Sequence, residues 1–251
     1  IGAHCADDIT TGGYNTAVGK SALASLTTGS NNVVLGRTAL SAASDDESDN
    51  VVIGMSAMEG AKQDGTVSST NREVKQNIAI GSGALYGGTL TSTSHLEGNI
   101  AIGHQAMDAT GANNQIGTIA IGTSALGALT SGGSNVAIGY QSLSADTDGA
   151  SNVSIGYQAG KQLTGSTRNT IIGKGALSAV DDTADNLADC VVIGYEAFKG
   201  NGTNTTTGAD KTVAIGSSAL FALTTGSGNV AVGYTALTAL TSGGSNIAIG
   251  E

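Results

Sequence analysis

The sequence predicts an all-β protein in which short strands stack in parallel as the coils of a β-roll or β-helix solenoid, with about 17 residues per coil. One apolar motif returns along the whole chain at a base spacing of 17 residues, and the 251 residues include 39 glycines and no proline. Because proline removes a backbone donor, its absence suits a chain whose segments join a hydrogen-bonded ladder. A single coil cannot bury its apolar face, so stacking must supply the partner.

The motif is Asn-β-Ala-Ile-Gly-x-x-Ala-Leu, where β is Val, Ile or Thr, as in residues 77–85 and 229–237. Bulky residues at the first and third apolar positions flank a small middle residue. This alternation predicts a strand whose bulky face is buried. The glycine that follows predicts a sharp turn or a positive φ. The turn glycines are Gly19, Gly36, Gly54, Gly81, Gly103, Gly122, Gly139, Gly156, Gly173, Gly194, Gly216, Gly233 and Gly250.

Asparagine opens most copies of the motif. Identical asparagine side chains that stack from coil to coil can hydrogen-bond along the stack, and asparagine tolerates turn backbone. We therefore predict a structural asparagine ladder. Its members are Asn15, Asn32, Asn50, Asn77, Asn99, Asn135, Asn152, Asn169, Asn229 and Asn246.

The Ala-Leu pair after the glycine predicts a second short strand in each coil, which closes through Thr/Ser/Gly turns. Longer intervals between motif glycines indicate polar insertions at one edge of the stack. Such loops often carry binding in repeat proteins, although loop variation alone also explains them. The insertions are 59–76, 86–98, 108–117, 178–189 and 199–211.

The repeat occupies the whole chain, so we predict one repeat domain over 1–251 that begins and ends within a motif. The formal net charge of −10 disfavours binding to nucleic acid or to anionic lipid. Apolar runs are all much shorter than the roughly 18 residues that membrane insertion needs.

Three acidic clusters recur in the same part of the coil, at 45–49, 146–149 and 181–185. Clustered carboxylates could bridge neighbouring loops through Ca²⁺, which prefers several oxygen ligands. Solvated turns that keep an apolar stack soluble are the simpler interpretation. We therefore assign no cofactor and no metal site, with Ca²⁺ as the alternative.

Tyr140 and Tyr157 follow motif glycines one coil apart, so we expect them to be exposed neighbours that stack. They are candidate glycan contacts, although a stabilising cross-strand pair is the plainer interpretation. The histidines His4, His95 and His104 are scattered, and no arrangement of nucleophile, base and acid is apparent. We predict that the protein is not an enzyme.

The motif resembles two groups of proteins. Residues 15–31 and 219–246 resemble the fibre repeats of phage tail proteins, and the Ala-Ile-Gly phrase is similar to the left-handed β-roll head of trimeric autotransporter adhesins. The resemblance covers essentially the whole chain, and the 17-residue period and the Ala-Leu pair favour the phage fibre. It implies a left-handed, extracellular homotrimer, on a virion tail fibre or a cell surface, that attaches to a cell-surface glycan or protein receptor. The head of a bacterial trimeric adhesin and a non-viral extracellular filament remain alternatives.

Overall fold

The computed structural model is all-β, with parallel strands stacked as the coils of a β-solenoid. It describes residues 1–42, 47–63, 73–90, 94–111, 113–180, 182, 186–200 and 207–251. Within these residues there is no helix, and the chain divides into two compact units, Ile1–Gly133 and Ser134–Glu251. The fold class predicted from the repeat is confirmed.

In the first unit, one parallel sheet runs through successive coils. Its strands, in order, are β1 (Thr16–Val18), β2 (Val33–Leu35), β3 (Val51–Ile53), β6 (Ile78–Ile80), β9 (Ile100–Ile102) and β11 (Ile119–Ile121). Each motif pairs with the same position of the next motif, so that Ala79 lies opposite Ala101.

Two small sheets in the first unit are built from the predicted insertions. One pairs β4 (Lys62–Gln63) with β7 (Thr89–Leu90), and the other has the order β10 (Gln115–Ile116), β8 (His95–Glu97), β5 (Glu73–Lys75). These insertions therefore continue the parallel stacking in part. Residues 64–72, 91–93, 112, 181, 183–185 and 201–206 of the insertions lie outside the described residues.

The second unit repeats the same arrangement in seven parallel strands. They are β12 (Val136–Ile138), β13 (Val153–Ile155), β14 (Thr170–Ile172), β15 (Val191–Ile193), β16 (Val213–Ile215), β17 (Val230–Val232) and β18 (Ile247–Ile249). Plain coils in both units span 17 or 18 residues, and insertions lengthen the others.

The side of each strand that is buried differs from the prediction. The small middle residue points inward and is fully buried, as Ala79 and Ala137 are, whereas the bulky first and third residues lie half-buried or exposed on the outside. The expectation of a buried bulky face is wrong for the single chain. The interior has little room for it, because a leucine or similar residue from the turn fills most coils, as Leu85 and Leu143 do.

The Ala-Leu segment forms a turn and not the second strand that we predicted. Leu23 and Leu143 have φ of 55° and 50°, and the residue two positions earlier in each turn, Ser21 or Gln141, is also left-handed. This backbone is costly for residues with a Cβ. Hydrogen bonds between coils hold it, such as that from Leu143 N to Ala159 O at 3.0 Å, and they leave leucine pointing into the core.

Candidate functional site

An uncharged aliphatic surface runs along each unit, formed by the first and third residues of the main-sheet strands. We call this surface the aliphatic stripe. In most coils these side chains are half-buried. Val33 and Leu35 are 38% and 36% exposed, and Ile249 in β18 is 78% exposed. A continuous apolar surface on a single chain is typical of an interface with another molecule.

The stripe has a similar composition in both units. In the first unit it comprises Thr16, Val18, Val33, Leu35, Val51, Ile53, Ile78, Ile80, Ile100, Ile102, Ile119 and Ile121. In the second unit it comprises Val136, Ile138, Val153, Ile155, Thr170, Ile172, Val191, Ile193, Val213, Ile215, Val230, Val232, Ile247 and Ile249.

The motif glycines allow adjacent coils to stack closely beside the stripe. All of them have φ between 124° and 145°. A Cβ at Gly156 would lie 2.6 Å from the carbonyl oxygen of Gly173, well inside contact distance. Glycine is therefore needed for two reasons, the backbone conformation and the approach of the next coil.

The asparagines form the ladder at the start of each strand. Asn32 donates from its backbone N and its Nδ2 to Asn15 Oδ1, both at 3.0 Å, and its Nδ2 also donates to Glu47 O at 2.7 Å. The pattern repeats in the second unit, where Asn152 N donates to Asn135 Oδ1 at 2.9 Å. The ladder residues thus satisfy buried backbone groups, which is a structural role.

Cys190 takes an asparagine position of the ladder in the second unit. Its backbone N donates to Asn169 Oδ1 at 2.9 Å, and burial raises the pKa of its thiol to about 11. Such a thiol stays protonated at neutral pH and is a poor nucleophile.

Exposed side chains directly after the motif glycines of the second unit form a column that we call the tyrosine column. Its first two rings, Tyr140 and Tyr157, stack with centroids 5.3 Å apart and an angle of 15° between their planes. Lys174 Nζ then lies 5.9 Å from the Tyr157 ring centroid and 5.8 Å from that of Tyr195. Tyr157 therefore has a neighbour from each adjacent coil, which leaves little ring face for a sugar.

The acidic clusters are not simply solvated turns. Asp146 and Asp182 are fully buried, and Asp182 accepts hydrogen bonds from Thr164 N, Thr164 Oγ1 and Ser166 Oγ. Of the other acidic residues in these clusters, Glu47 is buried and Asp49 and Asp148 are exposed, whereas Asp45, Asp46, Asp181 and Asp185 lie outside the described residues. Among the residues that the structure describes, no group of three or more His, Cys, Asp or Glu side chains is placed to hold a metal ion.

Asp146 and Leu163 occupy the same position in successive coils. A carboxyl therefore stands where the next coil has an aliphatic core residue. Its Oδ1 accepts a hydrogen bond from Gly149 N at 2.8 Å, and its Oδ2 is buried without a partner. Burial, with the nearby charges of Asp182 and Asp148, raises the pKa of Asp146 to about 7 despite the Gly149 hydrogen bond. The alignment of Asp146 with Leu163 at the 17-residue spacing was the sequence signal that could have revealed this burial.

The fold and these surfaces define a parallel β-solenoid repeat protein with an aliphatic stripe and an exposed tyrosine column. No family model, no curated protein and no solved structure matches the chain. In the described part of the chain, no helix is long and apolar enough to cross a membrane.

Proposed function

We propose that this chain is a structural segment of an extracellular attachment fibre, of the kind found in phage tail fibres, and that three copies associate along their aliphatic stripes. The observation that carries the proposal is the stripe itself. It follows every strand of the main sheets, and none of those strands contains a charged residue.

A second copy of the chain is the partner that fits this surface best. The stripe repeats at the spacing of parallel strands, about 4.8 Å, and another copy presents the same spacing and the same uncharged aliphatic chemistry. Removing the exposed third of a Val or Ile side chain from water contributes roughly 0.5–1 kcal/mol. Summed over a dozen such residues per unit, burial is comparable with the loss of translational and rotational freedom, which costs about 4–15 kcal/mol.

Closed assemblies are favoured for such surfaces, because an open arrangement would leave apolar stripes exposed at its ends. Three-fold symmetry is supported by the resemblance of the motif to trimeric fibre and adhesin repeats. In this arrangement the tyrosine column and the insertions remain available for a receptor, such as a cell-surface glycan or protein, while the stacked coils act as a stiff spacer.

The assembly is tested by measuring the mass of the purified chain by sedimentation equilibrium, with chemical cross-linking as a second measurement. We expect a trimer. The variant Ile53→Glu places a carboxylate in the stripe, so the trimer should dissociate at least a hundredfold more readily.

The matched control is Met55→Glu, which makes the same change of chemistry two residues further on, at a side chain that is 47% exposed and follows the turn glycine. Its assembly should equal that of the unmodified chain. A monodisperse monomer at micromolar concentration, or equal effects of the two variants, would contradict the proposal.

A further inference from the structure

The tyrosine column of the second unit contains a gap. Tyr195 and Tyr234 lie two coils apart, and Ser217 occupies the position between them. The strand register fixes this alignment, because Ile193 pairs with Ile215 and Ile215 with Val232, each two residues before the column.

Backbone hydrogen bonds hold the three coils of the gap in step. Ser218 N donates to Tyr195 O at 2.9 Å, and Thr235 N donates to Ser217 O at 2.9 Å. The side chains that flank the gap therefore project from a turn that repeats in step from coil to coil.

The gap has the width of one intercalated ring. Strands repeat at about 4.8 Å, so rings two coils apart are separated by about 9.6 Å. Carbon atoms in contact lie about 3.5–4.0 Å apart, which requires about 7–8 Å for a flat layer between two rings and slightly more for a puckered one. Tyr140 and Tyr157, in contrast, stack directly at 5.3 Å and leave no such space.

The groups around the gap are free to contact a ligand. Tyr195 and Tyr234 are 49% and 60% exposed, the highest values among the tyrosines of the column. Within the described residues, Tyr195 has one ring contact, to Lys174 on the side away from Ser217, and the Tyr234 side chain makes no hydrogen bond or ring contact. The Ser217 and Ser218 hydroxyls also make no side-chain hydrogen bond there.

We propose that Tyr195, Ser217 and Tyr234 form a clamp for one pyranose ring of a saccharide. A pyranose presents C–H groups on its faces and hydroxyls on its rim. The C–H groups would pack against the two tyrosine faces, which carry partial negative charge. The rim hydroxyls would meet the hydroxyls of Ser217 and Ser218. This site deepens the proposed function, on which it rests, because it supplies the glycan contact of an attachment fibre.

The charges nearest the clamp are of both signs. Aromatic faces also attract ammonium groups, and the net charge of the chain is −10. Lys174 lies 5.8 Å from the Tyr195 centroid on the side away from the gap, and Glu251 follows Gly250 one coil beyond Tyr234, so neither sign of charge dominates at the gap. A neutral saccharide, or an acidic one whose carboxylate reaches Lys174, is the ligand class that fits.

The test is a glycan array printed with neutral and acidic saccharides and with phosphocholine, followed by calorimetric titration of the strongest saccharide. We expect binding that weakens at least tenfold in Tyr234→Ala. The variant Ser217→Tyr should abolish it, because the new ring fills the gap and completes the column. The control is Tyr14→Ala, which removes a tyrosine that is 92% exposed and lies outside the column, and this variant should bind within about threefold of the unmodified chain.

Three outcomes would overturn the clamp: no bound saccharide, binding that survives Ser217→Tyr, or binding of phosphocholine alone. The assembly mass of each variant separates this result from the fibre proposal. A trimer without saccharide binding removes only the clamp, whereas a monomeric chain removes the fibre, and the clamp can still be measured on the monomer.

Discussion

The inner and outer rows of the strands are both largely apolar but behave as different surfaces. The inner row is fully buried and mostly alanine, as at Ala79 and Ala101, whereas the outer row is bulky and partly exposed, as at Ile78 and Ile80. The direction of a side chain is therefore set by the room inside the coil and not by its hydrophobicity. A thin coil that already contains a leucine mostly has alanine opposite, and valine is the largest residue found there, as at Val34 and Val192.

The exceptions in the inner row follow the same rule. Ile171 is fully buried where Gly160 replaces the usual leucine, and a Cβ on Gly160 would lie 2.8 Å from Leu143 Cδ2 and 3.2 Å from Ile171 Cδ1. Similarly, Ser142 and Ser154 replace two alanines, and the Ser142 hydroxyl donates to Ser154 Oγ at 3.0 Å. The interior is packed as a set of matched sizes and polarities, as in other protein cores.

The inner and outer rows should differ most in how much an alanine substitution lowers the free energy of unfolding, and two adjacent isoleucines allow this comparison. Ile171→Ala opens a cavity in the core and should lower the free energy of unfolding by up to about 5 kcal/mol, whereas Ile172→Ala on the outer row should cost about 1 kcal/mol in the monomer. Chemical denaturation followed by circular dichroism measures both.

The same two variants should be measured at several protein concentrations. If the stripe is an interface, the cost of Ile172→Ala should grow with concentration, because assembly then buries the side chain. Equal costs for the two variants in a dilute monomer would contradict the assignment of the inner and outer rows.

A carboxyl buried inside a coil, that of Asp146, should make stability depend on pH. Because the pKa of Asp146 is raised from 3.8 to about 7, the folded chain keeps a proton that the unfolded chain releases. The free energy of unfolding contributed by this group should therefore fall as pH rises from about 4 to 7 and should level off above that. Between pH 5 and pH 8 we expect a loss of about 2 to 3 kcal/mol.

Asp146→Leu, which restores the residue type of Leu163, should remove this slope and stabilise the chain at pH 8. The control is Asp148→Asn, at an exposed carboxyl of the same turn. Denaturation curves at pH 5, 6, 7 and 8 measure the slope. Retention of the full slope in Asp146→Leu would contradict the assigned burial.

The sequence predicts those features of the fold that recur in every coil. Repetition at 17 residues indicates parallel stacking, since only stacked coils bury a face that recurs so regularly. Which face of each strand points into the coil was not predictable in the same way. A row of bulky residues such as Ile78 and Ile80 has the same sequence pattern whether it faces the core or a partner molecule. Left-handed leucines were missed because this backbone is held by hydrogen bonds between coils, which local propensity does not include.

Candidate sites show the same division. The sequence predicts that Tyr140 and Tyr157 are neighbours, and their rings do stack. The same column has a serine, Ser217, where a further ring would stand, and this leaves ring faces of Tyr195 and Tyr234 without a stacked neighbour. Glycan contact at Tyr140 and Tyr157 stays a prediction, although their mutual stacking leaves less room for a ligand than the gap further along.

The asparagine ladder offers the smallest and most specific comparison of inner and outer positions, because two asparagines stand side by side in the first unit. Asn32 is buried, and its Nδ2 donates to Asn15 Oδ1 and Glu47 O, whereas Asn31 is exposed and donates to Asp49 Oδ1 at 3.0 Å. Asn32→Asp keeps the shape but removes these donors and buries a carboxyl. It should cost about 2 kcal/mol at pH 7.

Asn31→Asp should cost less than 1 kcal/mol, from repulsion by the exposed Asp49. The penalty of Asn32→Asp should shrink towards pH 4, because a protonated carboxyl regains one donor, and thermal melts at both pH values measure this change. A pH-independent penalty, or equal penalties at the two positions, would show that the amide donors of the ladder contribute little to holding adjacent coils together.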